Sequence, residues 1–158
     1  MIGAFQKLTL QDYPGRVACI IFTRGCNLRC SYCHNPDLLK EGKNISEIEI
    51  LNFLENRKNL LDGVVVTGGE PTIHGDLPNL LFKIKKLGYS IKLYTNGTRP
   101  LMLKKLTEKN LVDVVAMDYE LSDEKSKKIV KESGVEYELR VHSDENVKEK
   151  NAVYYDIK

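Results

Sequence analysis

The run Arg24-Gly25-Cys26-Asn27-Leu28-Arg29-Cys30-Ser31-Tyr32-Cys33-His34-Asn35 places three cysteines on one short stretch of chain. Three thiolates can hold three irons of a four-iron cubane and leave the fourth iron open to a ligand that is not protein. Other uses of cysteine ask for different donor sets. A closed zinc site wants four ligands, usually in two separated pairs, and His34, directly beside Cys33, can scarcely wrap onto the same ion. A closed ferredoxin-type cluster needs a fourth cysteine. The remaining one, Cys19, lies within Val17-Ala18-Cys19-Ile20-Ile21-Phe22, which reads as a buried strand where a free thiol behaves as a small apolar group. Disulfides fit poorly, because three of the four cysteines crowd into one loop of a chain this size.

The elements that must position this loop follow from patterning. Short apolar runs rich in β-branched residues alternate with helical stretches, which predicts βα units around a parallel sheet. The expected strands are Val17–Phe22, Gly63–Thr67, Ser90–Thr95, Val112–Met117 and Tyr137–Val141, with Ala152–Ile157 a weaker sixth. Ser46-Glu47-Ile48-Glu49 reads as a capping box opening a helix to about Arg57. Asp76 reads as the cap of a second helix with the apolar stripe Leu77, Leu80, Leu81, Ile84 and Leu87, closed by Gly88. Pro100 opens a third through about Lys109, and a fourth runs from about Ser122 to Ser133, its lysines Lys125, Lys127, Lys128 and Lys131 reading as a solvated face.

In folds of this kind chemistry gathers at the carboxyl ends of the strands. Cys26 follows the first expected strand, Gly68-Gly69-Glu70-Pro71 the second, Thr95-Asn96-Gly97 the third and Asp118 the fourth, while Arg140 and His142 close the fifth. Two glycines at a strand end serve either as a turn or as bare backbone against which a ligand can lie. Asp118, at the edge of an apolar strand, must find a partner or stay wet, and reads as an N-cap or a site residue. Arg140 could grip a carboxylate in bidentate fashion or form a surface salt bridge.

Composition constrains little else. The chain has 158 residues, 42% hydrophobic and 29% charged, with a net charge of +2, and reads as a single domain over 1–158. That charge is too mild to imply nucleic acid or an anionic membrane as partner. No stretch approaches the roughly 18 to 20 apolar residues of a membrane span, and no basic segment with a long apolar run opens the chain, so a cytoplasmic protein with reduced thiols is expected.

The cysteine spacing, three residues then two, with an aromatic just before the third, resembles the cluster-binding loop of the radical S-adenosylmethionine (radical SAM) superfamily. The resemblance implies an α/β partial, open parallel β/α barrel of five or six strands. It implies a [4Fe-4S] cluster on Cys26, Cys30 and Cys33 and S-adenosylmethionine (SAM) as cofactors. In that family the open iron chelates SAM, and an electron passed to the sulfonium splits it into methionine and a 5′-deoxyadenosyl radical, so no side chain need act as general acid or base. The family carries a similar Gly-Gly-Glu-Pro segment at the second strand end, which gives Gly68, Gly69 and Glu70 the role of meeting the methionine amino group. Tyr32 resembles the aromatic near the adenine in relatives, and shielding of the cluster is its other reading. His34-Asn35 resembles the glycyl-radical-enzyme activase branch, where the pair lies near SAM, though an imidazole there can also be a plain hydrogen-bond donor to the cluster's surroundings. By position Asn96, Asp118, Arg140 and His142 join the expected cofactor-binding set.

The branch pattern is not met everywhere. Activases often carry an acidic residue before Thr-Asn-Gly and a lysine two positions after the Asp, where this chain has Tyr94 and Glu120, so a monovalent cation site is not expected. The resemblance implies, as partner, a glycyl-radical enzyme such as anaerobic ribonucleotide reductase, with flavodoxin or ferredoxin as electron donor. The rivals are a radical SAM enzyme acting on a small deazapurine-type molecule and a non-catalytic metal-binding module.

Overall fold

Among the described residues, seven strands follow one another across a single sheet in the order of the chain. A computed structural model describes residues 1–31, 33–118, 123–141 and 154–156. The strands are β1 (Ile2–Thr9), β2 (Ala18–Thr23), β3 (Gly63–Gly68), β4 (Ser90–Thr95), β5 (Val114–Asp118), β6 (Glu136–Val141) and β7 (Tyr154–Asp156). β2 to β7 are parallel neighbour to neighbour, as the alternation of strand and helix predicts. Helices α1 (Glu47–Glu55), α2 (Leu77–Lys86), α3 (Pro100–Glu108) and α4 (Glu124–Glu132) occupy crossovers between them. β1 and β7 form the two edges, so the sheet is an open β/α barrel.

The six parallel strands β2 to β7 match the expected five or six, and β1 adds an antiparallel edge strand that the sequence pattern does not announce. It pairs antiparallel with β2, from Ile2 opposite Thr23 to Thr9 opposite Ala18, with two register shifts. Its residues show no clean alternation of apolar and polar, because only its ends are buried, so the strand is specified by its neighbour more than by its own pattern. Three smaller differences concern charge and caps. Ser46 and Asp76 stand at the predicted helix starts without a side-chain cap bond. Asp76 is itself in helical conformation (φ −89°, ψ −6°), not in the extended conformation that suits an N-cap. Asp123 does cap α4, accepting from the Lys125 N–H at 2.7 Å. Lys127, expected on a solvated face, is buried and pairs with Glu124.

The two faces of the sheet differ. On one, Cys19, Ile21, Val64, Val66, Ile91, Leu93, Val115 and Met117 pack with Ile50, Leu54, Leu80, Leu81, Ile84, Leu103, Leu106 and Val130 from the helices. Each helix thus contributes its apolar stripe to one core. Burial of the Cys19 thiol in that core pushes its pKa up to about 12, in keeping with a structural cysteine. On the other face a smaller cluster of Tyr13, Ala18, Ile20, Val65 and Val114, flanked by Phe22 and Tyr94, shares space with charged groups at Lys92 and Glu138. This inner face runs up to the strand ends where the cysteine loop lies.

Candidate active site

The cysteine loop leaves β2 and is pinched shut at its base. Gly25 N–H donates to Leu38 O at 2.8 Å, and the Arg24 guanidinium donates to Asp37 O at 3.2 Å, Lys40 O at 2.9 Å and Lys43 O at 3.3 Å. One arginine thereby holds the far end of the loop beside its start. Within it, Leu28 N–H donates to Cys26 Sγ at 3.3 Å, and Arg29 donates to Cys26 O at 2.8 Å.

The three thiols share one neighbourhood. Burial raises the Cys26 pKa, and the nearby Glu70, Cys30 and Cys33 push it further in the same direction against the bond from Leu28. Cys26, Cys30 and Cys33 line a cavity of about 140 Å³ together with His34, Asn35, Gly68, Gly69, Glu70, Asn96, Asp118 and Arg140. These are all eleven of the expected site residues that the structure describes. Tyr32 and His142 lie outside the described residues. A wider hollow over the inner face of the sheet adjoins it through His34, Asn35, Thr67, Tyr94 and Arg140.

Gly68 and Gly69 are bare for a reason the sequence did not reveal. A Cβ on Gly69 would stand 1.9 Å from Gly25 O, and one on Gly68 would stand 2.3 Å from Thr23 N. Gly69 N–H donates to Thr23 O and Glu70 N–H to Gly25 O, both at 2.8 Å. The glycines therefore let the first turn of the cysteine loop lie on the exit of β3, and Gly68 also takes φ +117°.

Glu70 is 1% exposed, and its carboxylate is fully engaged. Oε1 accepts from Thr72 N–H at 3.0 Å, from Thr95 Oγ1 at 2.7 Å and from the Thr72 hydroxyl, while Oε2 accepts from Asn96 N–H at 2.7 Å. Burial pushes its pKa up, opposed by these donors. Asn96 is likewise committed: its amide donates to Asn27 Oδ1 at 3.0 Å and its Oδ1 accepts from Thr98 N–H at 3.1 Å and Thr98 Oγ1 at 2.7 Å. Asn27 closes the ring by donating to Thr98 Oγ1 at 2.8 Å. Glu70 and Asn96 thus act as struts between strand ends as well as cavity walls.

Asp118 and Arg140, expected separately, meet in a 2.5 Å ion pair across the β5–β6 register. The Arg140 guanidinium lies 4.5 Å from the centre of the Tyr94 ring. Its Nε is buried without a hydrogen-bond partner among the described residues. Sequence reasoning missed Asn27, Thr72, Lys92 and Glu138. The last two carried a signal: each stands between two apolar neighbours, Ile91-Lys92-Leu93 and Tyr137-Glu138-Leu139.

These residues suit an incompletely ligated cluster. All four cysteines are free, and Cys19 faces the opposite core, leaving three thiols for the cavity. Among the described residues no three His, Cys, Asp or Glu side chains converge on a single ion, and a cubane spreads its thiolates over separate irons. The Arg140 guanidinium belongs to a residue that lines the same cavity and is a donor group suited to an anion there.

An open parallel β/α barrel with a three-thiol loop at its strand ends defines a class of cluster-dependent enzyme. The model of the radical SAM superfamily matches residues 20–153, and the chain belongs to that superfamily. Its members use a [4Fe-4S] cluster and SAM, which are the cofactors of this chain's family. The chain is 32% identical over 98% of its length to a Methanocaldococcus jannaschii protein named as a glycyl-radical enzyme activating enzyme, covering 65% of that protein. It is 36% identical over 53% of its length to the 7-carboxy-7-deazaguanine synthase of Aquifex aeolicus, covering 38% of it. The chain therefore spans less than two thirds of the length of these curated relatives. Among solved structures, Streptococcus suis SuiB bound to its precursor peptide SuiA matches with a TM-score of 0.62 at 18% identity, over 81% of this chain and 33% of that one. That likeness concerns the fold. Among the described residues no helix is long and apolar enough to cross a membrane.

Proposed function

We propose that this chain is a radical SAM activase that generates a glycyl radical on a partner enzyme, most specifically the catalytic subunit of an anaerobic ribonucleoside-triphosphate reductase. The observation that carries the reading is the single cavity that gathers Cys26, Cys30 and Cys33 with Gly68, Glu70, Asp118 and Arg140. Similarity to a named activating enzyme along nearly the whole chain supports the choice of branch. Cys26, Cys30 and Cys33 would hold the cluster, and Gly68, Gly69 and Glu70 would border the methionine end of SAM. His34, Asn35 and Asn96 would line the same pocket, and Arg140, held by Asp118, would offer its guanidinium to the cofactor carboxylate. The bound cluster and SAM would supply the electron transfer and the hydrogen-abstracting group that the reaction needs. The protein's share is to orient the pieces and keep water out. An open sheet favours a protein loop as acceptor, since it leaves a side through which a glycine-bearing segment can enter. Reduced flavodoxin or ferredoxin would deliver the electron, in the cytoplasm, where the thiols stay reduced.

Anaerobic reconstitution followed by dithionite reduction tests the chemistry: a brown protein that converts SAM to 5′-deoxyadenosine is expected, and a colourless protein retaining zinc rejects it. Co-incubation with an anaerobic ribonucleotide reductase tests the partner through oxygen-induced cleavage at one glycine, seen by mass spectrometry. The similarity to a deazaguanine synthase motivates a second reading, action on a small deazapurine precursor. An intact reductase together with turnover of such a precursor would favour it.

A further inference from the structure

On the inner face, charged side chains of three strands gather around the Tyr94 ring. Lys92 Nζ donates to both oxygens of Glu138, at 2.9 and 2.7 Å, and the two side chains are only 2% and 8% exposed. The same ammonium lies 4.9 Å from the Tyr94 ring centre, against 4.5 Å for the Arg140 guanidinium. Tyr94 OH in turn donates to Asp12 O at 3.1 Å, which ties the ring to the β1–β2 connection. Register explains the reach: Ala116 stands between Tyr94 and Glu138, and its single methyl lets Lys92 cross β5 to β6.

Glu138 and Arg140 sit two residues apart on one strand, so their side chains are neighbours on the same face. Two carboxylates and two cations therefore share one buried region, and their pairing could be drawn otherwise. A buried carboxylate that loses its cation carries a large desolvation cost and draws in the nearest donor. Among the described residues of this hollow, the Lys or Arg cation left beside Glu138 without Lys92 is Arg140.

We propose that Lys92 is a positioning residue: by neutralising Glu138 it keeps the Arg140 guanidinium with Asp118, at the wall of the cofactor cavity. This rests on the reading above that Arg140 meets SAM. The Lys92–Glu138 pair then takes no part in the chemistry and decides where the neighbouring arginine points.

Two measurements on K92M, K92M/E138L and R140A test this. The first is the ¹⁵N–¹H signal of Arg140 Nε in cluster-free protein, and the second is SAM affinity of the reconstituted protein by equilibrium dialysis. K92M is expected to shift the Arg140 signal and weaken SAM binding about tenfold or more. K92M/E138L, with the competing carboxylate gone, is expected to regain both, whatever its melting temperature. K92R, which keeps the charge, is expected to behave as wild type, and K92Q replaces K92M if the latter is too unstable to purify. An unmoved Arg140 signal in K92M, or a double variant that binds as poorly as the single one, overturns the proposal and leaves Lys92 a packing residue. If R140A binds SAM as wild type does while the K92M signal still shifts, the cavity reading fails and the control of Arg140 stands without its link to the cofactor.

Discussion

At the scale of the residue, Glu70 joins the parts of the site. Its carboxylate accepts from two hydroxyls and two backbone N–H groups, contributed by the turn after β3 and by the end of β4. In E70Q an amide nitrogen must face either the Asn96 N–H or the threonines, leaving a buried donor unsatisfied. A loss of about 1–3 kcal/mol in urea unfolding of the cluster-free protein is expected. Because burial holds the Glu70 carboxyl above its ordinary value, the folded chain binds that proton more tightly than the unfolded chain does. Stability from this group therefore falls as pH climbs from the ordinary carboxylate range past the raised value, and E70Q should flatten that slope in a pH series of unfolding curves. The thiols divide as sharply. Iodoacetamide should modify Cys26, Cys30 and Cys33 in the native cluster-free protein and reach Cys19, whose pKa is about 12, only after denaturation, as peptide mapping would show. The cysteine loop and Gly68-Gly69-Glu70 were legible in the sequence because their residues are adjacent in the chain. The partners of Glu70 were not, since Thr95 and Asn96 reach it only through the β3–β4 pairing.

At the scale of the element, the loop is held by the ends of the strands beneath it. The Asn27, Asn96 and Thr98 ring ties it to the exit of β4, while Gly69 lets it rest on the exit of β3. N27A removes one end of two of these bonds at an exposed position, so global stability should change by about 1 kcal/mol or less. The cluster should nevertheless be lost to a chelator several-fold faster, as followed by the decay of its visible absorbance. G69A differs in kind. Its methyl would overlap the Gly25 carbonyl, a backbone atom that cannot swing aside, so the variant should give a displaced loop and poor iron uptake by colorimetric assay. Helices and buried strands were legible to within about two residues because each carries a strong period of its own. β5 begins at Val114 and not at Val112, since apolar character alone does not mark where pairing starts. β1 escaped because an edge strand with exposed central residues bears little of that signal.

At the scale of the whole molecule, helices cover one face of the sheet and leave the other lined by apolar and charged side chains in turn. Lys92 and Glu138 each stand between apolar neighbours, Ile91 and Leu93, Tyr137 and Leu139, which marks each as unusual but does not join them. Only the register, with Ala116 between them, turns two isolated charges into a pair. If a partner segment enters by the open side, binding of the reductase should slow amide hydrogen exchange around Gln6, Gln11 and Asp12, which border the hollow, and leave α2 unchanged.

Because spatial order equals chain order from β1 to β7, the nascent polypeptide can lay down the sheet one strand at a time. The thiols emerge early, yet the wall opposite them waits for Asp118 and Arg140 to leave the ribosome. Metal loading that requires a finished chamber must therefore wait until β6 has been made, and iron delivered sooner would meet sulfurs still open to solvent.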